Sequence, residues 1–129
     1  MTKGFSRTIW IVLFVAYVLG VAWLCFTDSQ SEMEFPDSLW DIPIDKCVHF
    51  LMFLPFPVLG TLSFDFRSWW RCLCIMTFVA LVIAFVFEHL QSIITTTRVT
   101  DPADLNANVL GISTGLFVMM VWGLIRKRN

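Results

Sequence analysis

The chain has 129 residues, of which 57% are hydrophobic and 15% are charged, and its formal net charge at pH 7 is −1. Soluble domains average about 45–50% apolar and about 25% charged residues. This composition excludes an intrinsically disordered chain, which needs low hydrophobicity and high net charge, and a basic nucleic-acid-binding domain. It indicates a single membrane domain over residues 1–129.

Four apolar segments of the chain are long enough to cross a membrane as helices. An α-helix rises about 1.5 Å per residue, so about 20 residues span the ~30 Å hydrocarbon core of a bilayer. The segments cover residues 9–26, 47–64, 69–90 and 107–125. A cleaved signal peptide is the alternative for the first, but its apolar run exceeds the about 7–15 residues of a signal core. The sequence therefore predicts an all-α, four-helix integral membrane bundle.

Local features predict how the next elements fold. The long acidic loop over residues 27–44 contains two prolines, so we expect irregular structure with one amphipathic turn around Leu39 and Trp40. Pro55 and Pro57 each remove a backbone donor from the second helix. A kink or break is therefore expected in that helix.

The start of the fourth helix is marked by its residue types. Asp101 suits the N-cap, Pro102 suits the first helical position, and an acid three residues after the cap supports the start. A stripe then follows at i, i+4, i+7 and i+11: Asp104, Asn108, Gly111 and Gly115. The glycine pair predicts close approach of a neighbouring helix.

Basic residues are distributed unevenly between the two ends of the spans. With four spans both termini lie on one side, which holds seven of the nine Lys and Arg residues: Lys3, Arg7, Arg67, Arg71, Arg126, Lys127 and Arg128. The positive-inside rule places such a side in the cytoplasm. We therefore predict that both termini are cytoplasmic and that the loop over residues 27–44 is extracytoplasmic.

Polar residues are grouped at the predicted extracytoplasmic face, and spacings of three or four residues keep each group on one helix face. Glu88 lies about one turn inside the end of its span, where a charge usually faces the bundle interior and marks function. The groups are Asp45, Lys46 and His49 on the second segment, Glu88 and Gln91 on the third, and Arg98, Asp101, Asp104 and Asn108 at the fourth.

Four chemistries are open to these residues. Lys46 and Arg98, with the N-termini of two helices, suit an anion or a lipid headgroup. Glu88 and His49 in a low-dielectric pocket suit acid–base work. The third is a polar network that only locks the helices together, and the fourth is a metal site, although no HExxH or CxxC spacing supports one. The groups available to a metal are Asp45, His49, Glu88 and Asp104.

The sequence indicates no cofactor and no nucleic-acid partner. It has no glycine-rich phosphate loop, no haem-attachment CxxCH and no dinucleotide fingerprint. Cys25 and Cys47 lie near the same predicted face, where a disulfide in an oxidising compartment is the alternative to simple packing.

The ordered polar motifs resemble those of the VanZ-like family, small membrane proteins related to an accessory factor in glycopeptide (teicoplanin) resistance. The motifs are DKxxH over residues 45–49, ExxQ over 88–91, Arg98, and DLxxNxxGxxxG over 104–115. The match extends over about residues 45–123. The resemblance implies a bacterial envelope protein, here of the inner membrane, and leaves its biochemical activity open.

We therefore expect a protein that binds or processes an anionic lipid headgroup or a lipid-linked cell-wall precursor. Lys46 and Arg98 would hold the anion, Glu88 and His49 would be the acid–base pair, and Asp45 would orient His49. The expected substrate-binding residues are Lys46, Arg98, Asp45, Gln91, Asp104 and Asn108. The alternative is a structural or partner-binding protein. A small transporter ranks third, because it needs polar residues near the midplane, where these spans are apolar.

Protection of the chain termini tests the predicted topology. A peptide tag fused to either terminus should resist protease added outside intact spheroplasts, because the basic side is retained in the cytoplasm. A tag inserted at Ser31 in the acidic loop should be cleaved and is the matched control. Terminal tags that are cleaved from outside would contradict the orientation.

Overall fold

A computed structural model describes residues 2–27, 38–64, 68–95 and 101–128 of the chain. Its helices are α1 (Thr2–Phe26), α2 (Ile44–Phe53), α3 (Pro55–Ser63), α4 (Trp69–Ile94) and α5 (Pro102–Arg128). They form four spans long and apolar enough to cross a membrane, at Ser6–Phe26, Ile44–Ser63, Trp69–Ile94 and Pro102–Arg128. The predicted all-α, four-helix architecture is confirmed, and the protein is a multi-pass membrane protein.

The helices extend beyond the apolar runs that predicted them. α4 continues past its apolar run, through Gln91 to Ile94. α5 begins at Pro102, before its own apolar run over residues 107–125. Polar residues can continue a helix whose other face is apolar, so hydropathy alone ends the elements too early. As a result, the polar side chains at this end of the bundle stand on regular helix.

The second span is divided into α2 and α3 at Leu54, which confirms the predicted break. Pro55 and Pro57 have no N–H to donate to the carbonyls of Leu51 and Phe53. The N–H of Leu54 still bonds to the Phe50 carbonyl at 3.1 Å. The chain therefore changes from one helix to the next without an intervening loop.

α5 packs closely against the second span through its glycine pair. A Cβ atom built on Gly111 would lie 2.3 Å from the Phe50 carbonyl oxygen, and one on Gly115 would lie 2.3 Å from the Leu54 carbonyl oxygen. Both distances are far inside van der Waals contact, so only glycine fits at either position. The small-xxx-small interpretation is confirmed, and this approach sets the position of α5 relative to α2.

α1 is attached to the other side of the second span by aromatic packing and two hydrogen bonds. The rings of Phe14 and Phe56 meet edge to face with centroids 5.2 Å apart. The Tyr17 hydroxyl donates to the Met52 carbonyl, and Ser63 Oγ lies 2.8 Å from the Trp10 carbonyl. These contacts satisfy polar groups where lipid offers no partner.

The part of the acidic loop that the structure describes is a short β-hairpin. Ser38–Leu39 (β1) pairs antiparallel with Ile42–Pro43 (β2), and residues 28–37 lie outside the described residues. The amphipathic turn expected around Leu39 and Trp40 is wrong, because Trp40 and Asp41 have positive φ angles of 50° and 63°. Two successive left-handed residues form a tight hairpin turn and not a helical one.

Substitution of Gly115 tests the close approach of α5. Gly115→Ala should lower the free energy of unfolding in detergent by about 1–3 kcal/mol, because the new methyl group meets the Leu54 carbonyl. Gly20→Ala in α1 is the matched control, since no atom lies within 4 Å of its Cβ position. Equal thermal unfolding of the two variants would contradict the packing.

Candidate functional site

Lys46, on the first turn of α2, lies among three aspartate carboxylates. Its Nζ is 2.6 Å from Asp101 Oδ2 and 3.0 Å from Asp45 Oδ2, and it also donates to Asp104 Oδ1. An ammonium group has three N–H donors, so these carboxylates occupy its whole donor capacity. Lys46 is therefore a shared counterion that joins α2 to the start of α5.

His49, one turn further along α2, is buried between α2 and α5 and is 2% exposed. Its Nδ1 lies 3.1 Å from Asn108 Oδ1, and its Nε2 lies 3.6 Å from Asp104 Oδ2. A protonated ring donates from Nδ1 to Asn108 Oδ1, and its Nε2 faces Asp104 at ion-pair distance. A neutral ring is satisfied when the Asn108 amide is turned so that its NH₂ group donates to Nδ1. The site therefore accommodates both protonation states of His49 with only an amide rotation.

Glu88 approaches the same region from α4 and is also 2% exposed. Its Oε1 accepts the backbone N–H of Asp101 at 3.1 Å. Its Oε2 is buried and has no hydrogen-bond partner within the described part of the chain. Burying an ionised carboxylate with only one hydrogen bond costs free energy of folding. Oε2 is therefore available to accept a hydrogen bond, or to donate one when the carboxyl is protonated.

These contacts form one continuous network, here called the polar cluster. It runs from Glu88 through Asp101 to Lys46, and from Lys46 through Asp104 to His49 and Asn108. Its members are Asp45, Lys46, His49, Glu88, Asp101, Asp104 and Asn108. The cluster carries four carboxyl groups against one lysine, so it is rich in acid.

Asp101 has two functions in the cluster. Its Oδ1 accepts the Ala103 N–H at 2.9 Å, which confirms the predicted N-cap of α5, and its Oδ2 accepts from Lys46. Hydrogen bonds from Lys46 and from the Ala103 N–H hold the pKa of the Asp101 carboxyl below its ordinary value. The sequence predicted the cap and placed Asp101 among the polar residues of this face, but it did not predict the contact with Lys46, because that contact depends on how α2 and α5 pack.

The structure gives Asp45 a different partner from the expected one and gives Gln91 a partner inside the bundle. Asp104, and not Asp45, is the carboxylate that faces the His49 ring. Asp45 instead contacts Lys46 and is half exposed. Gln91 donates from Nε2 to the Cys25 carbonyl at 2.8 Å, so it ties α4 to α1. Arg98 lies outside the described residues.

An apolar groove opens between α2 and α5 directly beside the cluster. It has a volume of about 400 Å³, and Lys46 stands among its lining residues. The other lining residues are Ile42, Cys47, Phe50, Leu51, Ala107 and Leu110. The groove therefore offers a hydrocarbon surface next to the charged end of α2.

Metal and disulfide alternatives were also compared with the structure. Across residues 2–27, 38–64, 68–95 and 101–128, no group of three or more His, Cys, Asp or Glu side chains is arranged to hold a metal ion. No disulfide joins Cys25 to Cys47, both of which are described.

Comparison with known proteins identifies the chain at the family level. The model of the VanZ/LLP1 family matches residues 14–123, which is most of the chain. No curated protein and no solved structure matches it. The matched range contains every residue of the polar cluster.

Removal of the Lys46 charge tests the electrostatics of the cluster. Lys46→Met should lower the free energy of unfolding at pH 7 by about 1–3 kcal/mol, because three carboxylates lose their counterion. The Asp101 contribution is present above the ordinary pKa of aspartate and is lost as pH falls through the lowered folded value. The gap between wild type and variant should therefore persist from pH 7 down to about pH 4 and narrow as the pH falls further, toward about pH 2.

Thermal unfolding in detergent without added phospholipid measures this gap. Lys127→Met, in the last turn of α5, is the matched control and should leave the pH dependence unchanged. A gap that stays constant from pH 7 down to about pH 2, where the aspartates become protonated, would contradict the shared-counterion role.

Proposed function

The chain belongs to the VanZ/LLP1 family, and on that premise we propose that it binds or processes an envelope lipid or a lipid-linked cell-wall precursor at the polar cluster. The ligand class is an anionic headgroup carried on a hydrocarbon chain. We place the cluster at the extracytoplasmic face of the bacterial inner membrane, as the distribution of basic residues predicts.

The vacant oxygen of Glu88 carries the proposal. Buried polar atoms in a bundle are normally satisfied by other groups of the protein, yet Oε2 has no partner among the described residues. The other six cluster residues have their contacts within the network. A ligand hydroxyl, amide or amine would complete the site by donating to this oxygen.

Glu88 and His49 supply the acid–base pair of the proposed chemistry. Both are 2% exposed, so a proton transferred by either group is shielded from bulk water. Asn108 and Asp104 fix the His49 ring through its two nitrogens, and the Asp101 backbone fixes Glu88. Proton transfer to and from a headgroup requires two such groups, one acid and one base, each held in place by its own partner.

The groove between α2 and α5 supplies the access route. Its apolar walls suit a hydrocarbon chain, and Lys46 at its polar end lies where a headgroup would stand. An amphiphile in the surrounding bilayer reaches this groove laterally, without crossing water. The groove would therefore hold the hydrocarbon chain of the same lipid whose headgroup contacts the polar cluster.

Lys46 cannot hold an anion without giving up a carboxylate, because its three donors are used. The replaceable partners are Asp45 and Asp101, whose side chains are 50% and 46% exposed. Asp104, at 15% exposure, is the partner that would be kept. In this proposal Arg98 supplies the additional positive charge that an acid-rich cluster needs for an anionic headgroup.

A structural role is the second candidate, and one observation favours it. Lys46 and His49 of α2 both bond to side chains at the start of α5, so the cluster joins two membrane helices. In that case the residues would stabilise the bundle and contribute nothing else. The two candidates differ in whether function is lost while the folded protein persists.

Separate substitutions in the cluster test the proposed function. Glu88→Gln, His49→Ala and Arg98→Ala should each reduce the glycopeptide-susceptibility phenotype to the level of the gene deletion, while membrane levels of the protein stay unchanged. His89→Ala is the matched control, because His89 is exposed and bonds only within α4, to the Phe85 carbonyl. Its phenotype should remain that of the wild type.

Thermal unfolding of the same variants in detergent separates the two candidates. Glu88→Gln keeps the acceptor for the Asp101 N–H, so its stability should stay within about 1 kcal/mol of the wild type. A phenotype that falls only in proportion to the folded protein would assign the cluster a structural role. Normal function in all three variants would end the proposal.

A further inference from the structure

A second cavity lies at the opposite end of the bundle, where α4 begins and α5 ends. Glu88 and Trp69 are separated along α4 by a distance of about 28 Å at 1.5 Å per residue, so the two regions are independent. The cavity has a volume of about 440 Å³. Its lining residues are Thr61, Phe64, Trp69, Trp70, Cys72, Gly123, Arg126 and Lys127.

Two buried polar atoms of the cavity lining have no partner within the described ranges. They are Thr61 Oγ1, on a side chain that is 3% exposed, and Trp69 Nε1. An indole N–H can only donate, and a threonine hydroxyl can donate as well as accept. Both groups therefore have a donor available for a hydrogen-bond acceptor inside the cavity.

The charged residues among the described lining of the cavity have one sign. Arg126 and Lys127 are among the lining residues, and none of the eight lining residues is acidic. α4 also begins here, and the first N–H groups of a helix point toward its N-terminus. The N-cap residue Ser68 makes no side-chain hydrogen bond to them. A ligand that matches donors and cations together is an oxyanion, and phosphate has the required acceptors.

The position of the cavity favours a phosphate that is attached to a lipid. Trp70 and Trp122 at this end are 37% and 41% exposed, as residues of a membrane–water interface are. Arg126 lies over the Trp122 ring with 5.9 Å between its Cζ and the ring centroid, which holds the guanidinium at the headgroup level. A phospholipid of the same leaflet thus presents its phosphate at the depth of the cavity.

We propose that this cavity is a binding site for the phosphate of an anionic phospholipid. Thr61 and Trp69 donate to the phosphate oxygens from inside, and Arg126 and Lys127 neutralise its charge from the rim. Gly123 keeps the site open, because a Cβ at this position would lie 2.7 Å from Trp69 Nε1. The site is independent of the proposed function at the polar cluster, and each can fail without the other.

Binding of phosphatidylglycerol to the full-length protein in detergent micelles tests the proposal. The wild type should bind phosphatidylglycerol about tenfold or more tightly than phosphatidylcholine, as measured by native mass spectrometry at matched lipid concentrations. Thr61→Val keeps the shape of the side chain and removes the buried hydroxyl, so affinity for phosphatidylglycerol should fall about tenfold. Arg126→Gln should cause a loss of about tenfold or more.

Controls distinguish the cavity from general attraction of the basic end for anions. Arg128→Gln makes the same charge change at a residue that does not line the cavity, and it should alter affinity less than about twofold. Gly123→Ala should also weaken binding, because the methyl group meets the Trp69 indole nitrogen. His89→Ala, an exposed residue at the other end of α4, should leave lipid binding unchanged.

Four outcomes would overturn the proposal. They are equal binding of the two lipids, full binding by Thr61→Val, equal losses in Arg128→Gln and Arg126→Gln, and displacement of phosphatidylglycerol by millimolar inorganic phosphate. The last would assign the site to a soluble phosphate and not to a lipid. Because Thr61→Val removes a hydroxyl that has no partner in the described structure, it should fold normally, and its result is decisive.

Discussion

Lys46 can act as a shared counterion only because α5 approaches α2 closely. The carboxylates at the polar end of the bundle in turn depend on the charge of Lys46. Glycines at 111 and 115 let the α5 backbone contact the Phe50 and Leu54 carbonyls directly. That approach places Asp101 and Asp104 within reach of the ammonium group and Asn108 within reach of His49. Polar groups inside a membrane protein have little water to bond with, so they form hydrogen bonds to one another. Each group left without a partner would destabilise the fold by several kcal/mol.

The bundle is chemically different at its two ends. The end where α2 and α5 begin carries carboxyl groups in excess, gathered around one lysine and one histidine. The end where α5 finishes carries arginine and lysine around a cavity with buried donors. Each end therefore suits a different ligand chemistry, and the apolar helices between them keep the two sites apart by about the thickness of the hydrocarbon core.

Unsatisfied buried groups mark both proposed sites. Glu88 Oε2 at one end, and Thr61 Oγ1 and Trp69 Nε1 at the other, lack partners among the described residues, as does Thr77 Oγ1 in the middle of α4. Groups such as Tyr17, Gln91 and Ser63 are bonded. Leaving a buried polar atom unpaired costs about 1–3 kcal/mol. Of the four unpaired atoms that the structure describes, three lie at the two proposed sites, where a ligand would complete their bonding.

The sequence by itself determined the four spans, the break at the two prolines, the cap that starts α5 and the glycine pair that packs it, because each follows from local composition or from spacing along one helix. It also indicated that polar residues of three helices gather at one end. Only the tertiary structure decided that Asp104 and not Asp45 faces His49, that Gln91 bonds to α1, and that Asp101 shares Lys46. It alone showed the cavity around Thr61 and Trp69. Spacing along a helix fixes which face a side chain occupies, but the partner on that face is set by the position and rotation of the neighbouring helix.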